Sequence, residues 1–134
     1  MSQDDIRNAL RKHLYALDNN FPTAYENVKY EPTANTPYQS ISTNPLTPDN
    51  PTFGDDFHRE NGFFQVILCY PTGQGTASIA SKAELIKTHF KRTTTLIEND
   101  TEVVVDRTPY IGSGYVAGDR YCVPIRISYY ANIC

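Results

Sequence analysis

The sequence predicts an α+β fold, in which a single mixed, mostly antiparallel β-sheet carries two amphipathic helices packed on one face. Three observations predict it: two stretches with helical apolar spacing, several stretches with the alternation of strands, and no regular succession of strand and helix. The 134 residues can bury one hydrophobic core but not two. We therefore expect one domain over residues 1–134.

Two segments have the apolar spacing of amphipathic helices. Ser2, followed three residues later by Asp5, resembles a capping box, and apolar residues then recur every three or four positions up to Leu17. The second segment follows the turn at residues 71–75, and its basic residues gather at its C-terminal end, where the helix dipole favours cations. Its apolar positions are Ile79, Ala83, Ile86 and Phe90.

The first three strands are predicted by alternation or by a continuous apolar run. Residues 24–30 and 38–43 alternate weakly, as short strands do. Residues 63–70 are almost continuously apolar, which predicts a central strand with both faces covered.

The C-terminal part of the chain predicts three more strands. Residues 94–97 and 102–108 flank a polar turn and predict a hairpin. Residues 121–130 alternate without a break, which predicts a strand with one apolar face, and Pro124 predicts that this strand lies at a sheet edge or carries a bulge. Because two helices need one sheet face, we expect the other face, rich in tyrosine, to be open to solvent or a partner.

Composition excludes several classes of function. The chain has 12 Lys and Arg against 15 Asp and Glu, a net charge of −3, whereas proteins that wrap nucleic acid present a basic face. The first 20 residues carry charges throughout, unlike a signal peptide, and no run approaches the ~20 apolar residues of a membrane span. We therefore expect a protein made in a cytoplasm, without membrane association or a nucleic-acid ligand.

The three cysteines predict neither a disulfide framework nor a zinc site. Cys69, Cys122 and Cys134 are odd in number and have no metal-type spacing. We expect reduced thiols, although one bridge between Cys69 and Cys122 is geometrically possible if they lie on adjacent strands.

The clearest candidate for a functional site is a long Pro-rich loop at about residues 44–62. Its prolines lower the entropic cost of ordering, and its two phenylalanines offer apolar anchors to a protein partner. The alternative is that the phenylalanines fold back onto the chain's own core. The predicted interface residues are Pro48, Asn50, Pro51, Phe53, Phe57, Arg59 and Glu60.

Two other patterns suggest chemistry only weakly. Gly73 and Gly75 lie in a strand-to-helix turn that could hold a phosphate or nucleotide, yet no P-loop lysine follows, and the simpler interpretation is positive φ in a tight turn. Asp55, Asp56, His58 and Glu60 could ligate a divalent ion but lack the spacing of a calcium loop. Without a nucleophile elbow or a Cys–His pair, we expect no enzyme, no cofactor and no metal.

The order of several short segments resembles the tail terminators of long-tailed bacteriophages, also called tail completion or minor tail proteins. The resemblance covers nearly the whole chain. The segments are Ala24–Val28, Pro48–Gly54, Arg59–Pro71, Gly73–Gly75, Arg107–Pro109, Asp119–Tyr121 and Tyr129–Ile133.

The resemblance implies a structural virion protein of the tail or neck, assembled in the host bacterial cytoplasm. It implies a homo-oligomeric ring, typically of six copies, that caps the tail tube, ends tail growth and forms the joining surface to the head. The implied partners are the tail tube protein and a head-tail connector or head completion protein, with DNA passing through the ring without specific binding. Another neck component, such as a head completion protein, is the alternative.

Overall fold

In the part of the chain that the structure describes, two helices and eight strands form the predicted α+β fold. The computed structural model describes residues 3–17, 21–25, 31, 36–46, 58–73, 75–99 and 101–133. The helices are α1 (Gln3–Leu17) and α2 (Ala77–His89). The strands are β1 (Thr23–Ala24), β2 (Tyr38–Pro45), β3 (His58–Pro71), β4 (Thr95–Glu98), β5 (Thr101–Val105), β6 (Tyr110–Ile111), β7 (Tyr115–Ala117) and β8 (Arg120–Ile133).

The strands form one mixed sheet in the order β1-β2-β3-β8-β5-β4, and β6 and β7 also pair with β8. β1 runs parallel to β2, and the other pairs of described strands are antiparallel. β3 and β8 have 14 residues each and pair along their whole length, from His58 opposite Ile133 to Pro71 opposite Arg120. The predicted central strand at residues 63–70 is confirmed within β3.

The core lies between the helices and one face of the sheet. Both helical periodicities are confirmed, because the residues that they place on one face are buried in a single cluster with the sheet. Alternate residues of β3 and β8 fill the other side of that cluster, as the two-residue period of a strand requires. The largest fully buried side chains include Ile6, Leu10, Phe64, Leu68, Ile79, Ile86, Phe90, Ile125, Ile127 and Tyr129.

The smaller strand predictions agree with the structure in part. The hairpin is confirmed as β4 and β5, with Glu98 paired to Thr101, and it closes through a tighter turn than predicted. Asn99 in this turn has φ 48°, in the left-handed region that asparagine tolerates better than most residues. Of the strand predicted at residues 24–30, Ala24 belongs to β1, Tyr25 follows the end of β1, and residues 26–30 lie outside the described residues.

Strands β2 and β3 extend into both ends of the segment predicted to be a loop. β2 continues through Pro45, which lies opposite Gly62 of β3. The predicted loop boundaries at residues 44 and 62 are therefore wrong. Pairing extends this far because Gly62 lets the backbones of β2 and β3 approach each other closely. A Cβ built on Gly62 would lie only 2.4 Å from the carbonyl oxygen of Asn44. Residues 47–57 lie outside the described residues.

Pro124 lies in the middle of the sheet, so the prediction that its strand lies at an edge is wrong. In an antiparallel ladder the N and C=O of one residue point to the same side. The carbonyl of Pro124 accepts a hydrogen bond of 2.8 Å from the N–H of Gly112, between β6 and β7. The missing N–H of Pro124 therefore faces the interruption between these two short strands, and pairing with β3 loses no hydrogen bond.

Two histidines join the helices to each other. The rings of His13 in α1 and His89 in α2 stack with centroids 3.9 Å apart and planes 10° from parallel. Each Nε2–H donates to the backbone carbonyl of the other histidine, at 2.7 Å from His13 and 2.6 Å from His89. Because carbonyls only accept, both neutral rings carry their proton on Nε2. Burial lowers the pKa of His13, and a charge on His89 lowers it further, outweighing the opposing effect of its bond to the carbonyl.

We expect Gly62→Ala to lower the free energy of unfolding by about 3 kcal/mol, because backbone atoms of β2 occupy the space of the new methyl group. Gly118→Ala is the matched control: its φ is 62° and nothing lies within 4 Å of an added Cβ, so it should cost only about 1 kcal/mol. Urea unfolding of both variants measures the difference. Equal losses would contradict the close approach of β2 to β3.

We expect the histidine stack to make stability depend on pH. The pKa of His13 is lowered in the folded protein. Below about pH 6.5, the ordinary pKa of histidine, the unfolded chain therefore binds a proton at His13 more readily than the folded protein does. The free energy of unfolding should decrease as the pH is lowered through this range. His13→Gln keeps an amide donor and cannot titrate, so its stability should fall less between pH 7.5 and 5.5. The melting temperatures of both proteins are measured across this range. If they changed by the same amount with pH, the histidine stack would not be the cause of the pH dependence.

Candidate functional site

The face of the sheet opposite the helices is the candidate functional surface. Phe63 and Ile67 of β3 lie on this face and are half-buried, whereas Phe64 and Val66 on the other face are fully buried. The prediction that both faces of this strand are covered is therefore wrong for the described part of the chain. We call this surface the open face. It includes Tyr38, Ser40, Ser42, Phe63, Gln65, Ile67, Tyr110, Tyr115, Pro124, Arg126 and Tyr130.

Two arginines stack on aromatic rings of neighbouring strands along the open face. The guanidinium carbon of Arg59 lies 4.5 Å from the ring centroid of Tyr130, and that of Arg126 lies 5.1 Å from that of Phe63. Stacks of this kind contribute about 0.5–1 kcal/mol at exposed sites. Arg126 stays exposed, so its planar donors can also bind an acceptor on another molecule.

A third arginine has a structural position. Arg120 is only 6% exposed, and its guanidinium lies 5.3 Å from the ring centroid of Tyr38. It donates to the backbone carbonyl of Thr36, and its Nε lies 3.8 Å from a carboxylate oxygen of Asp119. These contacts fasten the segment before β2 to the start of β8, so Arg120 stabilises one end of the open face.

A groove of about 460 Å³ opens beside Arg126. Its apolar wall includes Phe63 and the exposed side chains of Leu46 and Tyr110. Its polar wall includes Asp106, whose Oδ1 is buried without a hydrogen-bond partner in the described part of the chain. The groove therefore offers apolar contact beside charged side chains within one surface, a combination that fits a segment of another protein.

Cys69 and Cys122 face each other across β3 and β8, flanked by Tyr38 and Tyr115. Both thiols are free and buried, and the Cys122 Sγ lies 2.7 Å from the Cys69 Sγ. Burial and the adjacent Cys69 thiol raise the pKa of Cys122 to about 12, and burial also raises the pKa of Tyr38 to about 12. Cys122 is therefore protonated at neutral pH and is not an activated nucleophile.

The predicted interface residues divide between described and undescribed parts of the chain. Arg59 and Glu60 belong to β3 rather than to a loop, where Arg59 lies on the open face and Glu60 pairs with Ala131 of β8. The remaining predicted residues lie outside the described residues: Pro48, Asn50, Pro51, Phe53 and Phe57.

The two weaker patterns have a clear structural position where they are described. Gly73 and Gly75 have φ of 87° and 72°, which confirms their predicted conformational role in the turn before α2. Of the acidic and histidine cluster, Asp55 and Asp56 lie outside the described residues, and His58 begins β3. Within the described residues, no three His, Cys, Asp or Glu side chains are grouped to hold a metal ion.

Of the two stacked arginines, sequence reasoning singled out Arg59 but not Arg126. Arg126 occupies an outward position in the alternation of β8, which the pattern does reveal, but its stack on Phe63 depends on the register between β8 and β3. Arg126 and Phe63 are 63 positions apart in the chain, so no local sequence pattern shows that they meet.

Together, the fold and the open face define a class of protein: a small α+β chain with one sheet face packed on helices and the other available to partners. The particular family follows from comparison. The chain belongs to the phage tail terminator protein family, whose model matches residues 5–129. It is a structural component of a bacteriophage tail, as the resemblance implied.

A solved structure supports this assignment at the level of fold. It has 27% sequence identity to this chain and a TM-score of 0.80, over 98% of this chain and 96% of its own length. No curated protein matches the sequence. Neither α1 nor α2 has the length and apolar content needed to cross a bilayer.

Proposed function

We propose that this protein caps the finished tail tube as a ring of six copies, ends tube growth and presents the surface to which the DNA-filled head attaches. Membership of the tail terminator family is the observation that supports this most directly. The proposed partners are other copies of the chain, the tail tube protein, and a head-tail connector or head completion protein. As a structural protein of this kind, it needs no cofactor and no catalytic residue.

The open face and one edge of the sheet provide surfaces suited to a ring. Neighbours in a ring contact each other through two different surfaces, so each copy needs a pair of complementary patches. The groove beside Arg126 supplies one patch with apolar and charged character. The sheet supplies a second, because β4 lies at the end of the strand order and an edge strand can pair with a strand of a neighbour.

We further propose that residues 47–57 contribute to an interface through Pro48, Asn50, Pro51, Phe53 and Phe57. Leu46, which immediately precedes this segment, lines the groove and is 55% exposed. The segment carries three aspartates and no basic residue, whereas Arg59 and Arg126 are basic groups of the open face. A segment of this charge therefore suits a neighbour's open face.

The charge of the chain suits a ring around DNA. Each copy has a net charge of −3, so every added copy makes the assembly more acidic. An acidic ring repels the phosphate backbone and lets DNA pass without specific binding.

We expect a phage without this gene to produce tails of abnormal or variable length that lie apart from DNA-filled heads, because nothing ends tube growth or joins the two parts. Electron microscopy of lysates measures tail length and head attachment. Tails of normal length beside unattached heads would instead indicate a head completion protein, and intact virions would contradict a role in the neck.

We expect Arg126→Glu to fail in restoring joined virions to that phage, because it reverses the exposed charge of the groove. The variant should still fold, since the lost stack contributes only about 1 kcal/mol. Arg92→Glu is the matched control, with the same change of charge at an exposed residue beyond α2, and should restore virions. Equal restoration by both variants would show that the groove is not an interface.

A further inference from the structure

The geometry of Cys69 and Cys122 suits a covalent bond between them. Cys122 shares the orientation of Pro124, whose carbonyl points toward β6 and β7, so the N–H and C=O of Cys122 also point away from β3. Cys69 and Cys122 are thus a non-hydrogen-bonded pair, the type with the closer side chains and Cα atoms about 4.5 Å apart. Disulfides have Cα distances of about 4.4–6.8 Å, so the backbone can stay in place.

The thiols themselves are already in contact. Their sulfur atoms are 2.7 Å apart, and a disulfide bond of about 2.05 Å requires only a small side-chain movement. Both residues are at most 4% exposed, so a small oxidant reaches them more easily than a bulky thiol reagent.

We propose that Cys69 and Cys122 form a modification site, a dithiol that a peroxide-class oxidant converts into a disulfide between β3 and β8. One sulfur attacks a peroxide oxygen, breaking the O–O bond to give a sulfenic acid and water. The second sulfur displaces hydroxide from the sulfenic sulfur, and the hydroxide leaves as water with the remaining thiol proton. The two thiols lose two electrons and two protons, and one hydrogen peroxide becomes two water molecules.

The change of redox environment when a virion leaves its host cell gives a reason for such a site. Cytoplasmic thiols are kept reduced, whereas disulfides persist on released virions. A tail component therefore folds and assembles as the dithiol and meets oxidants after release. The bond would close a segment of 53 residues that contains α2 and strands β4 to β7, so it would fasten much of the core after assembly.

The test uses the isolated full chain with Cys134→Ser, so that two cysteines remain. After incubation with hydrogen peroxide, intact mass should fall by two hydrogens, alkylation of the protein unfolded in guanidinium chloride should find no free thiol, and the melting temperature should rise by about 10 °C. Dithiothreitol should reverse all three changes. If Cys134→Ser fails to fold, peptide mapping of the Cys69–Cys122 cross-link in the unmodified chain gives the same answer.

Matched controls are Cys69→Ser and Cys122→Ser in the same background, and neither should show a rise in melting temperature with peroxide. Two alkylatable thiols after prolonged oxidation, masses of sulfinic or sulfonic acid, or a lower melting temperature in the treated protein would overturn the proposal. Because these measurements use the isolated chain, they are independent of whether it forms a ring.

Discussion

The continuous pairing of β3 with β8 is the constraint on which the rest of the structure depends. Fourteen residues of each strand lie opposite one another without an offset. In each strand alternate residues point to opposite faces, so this register decides at once which side chains meet the helices and which form the open face. A slip of β3 by one residue would exchange Phe64 for Phe63 in the core, and a slip of β8 by one residue would place Arg126 among buried apolar groups.

Two residues show how the chain preserves this register where backbone chemistry works against it. Gly62 has no Cβ, so β2 can pass close to β3 and extend the sheet beyond the expected end of the strand. Pro124 lacks an N–H, and the interruption between β6 and β7 lies on the side where that donor is missing. In both cases the irregularity falls on the neighbours of the β3–β8 pair and not on the pair itself.

Helices and long strands could be predicted from sequence because their signals are local. Ile79, Ala83 and Ile86 repeat within a few residues, and so do the apolar positions of β8. Contacts between distant segments could not be predicted in this way, because they depend on how strands and helices align with one another. The stack of His13 on His89 joins residues 76 positions apart, and the sequence indicated only that both lie on helices.

For the open face, the sequence predicted tyrosines and small polar residues but not the contacts that cover its aromatic rings. A sheet face with several exposed aromatic rings is a liability for aggregation. Arg59 covers Tyr130 and Arg126 covers Phe63 with flat, weakly hydrated guanidinium groups, which hide apolar surface while keeping charge at the exterior. Because such stacks contribute little stability, a partner that offers better contacts can displace them at small cost. The arginine stacks therefore cover apolar surface of the open face weakly enough for that surface to remain available to a partner.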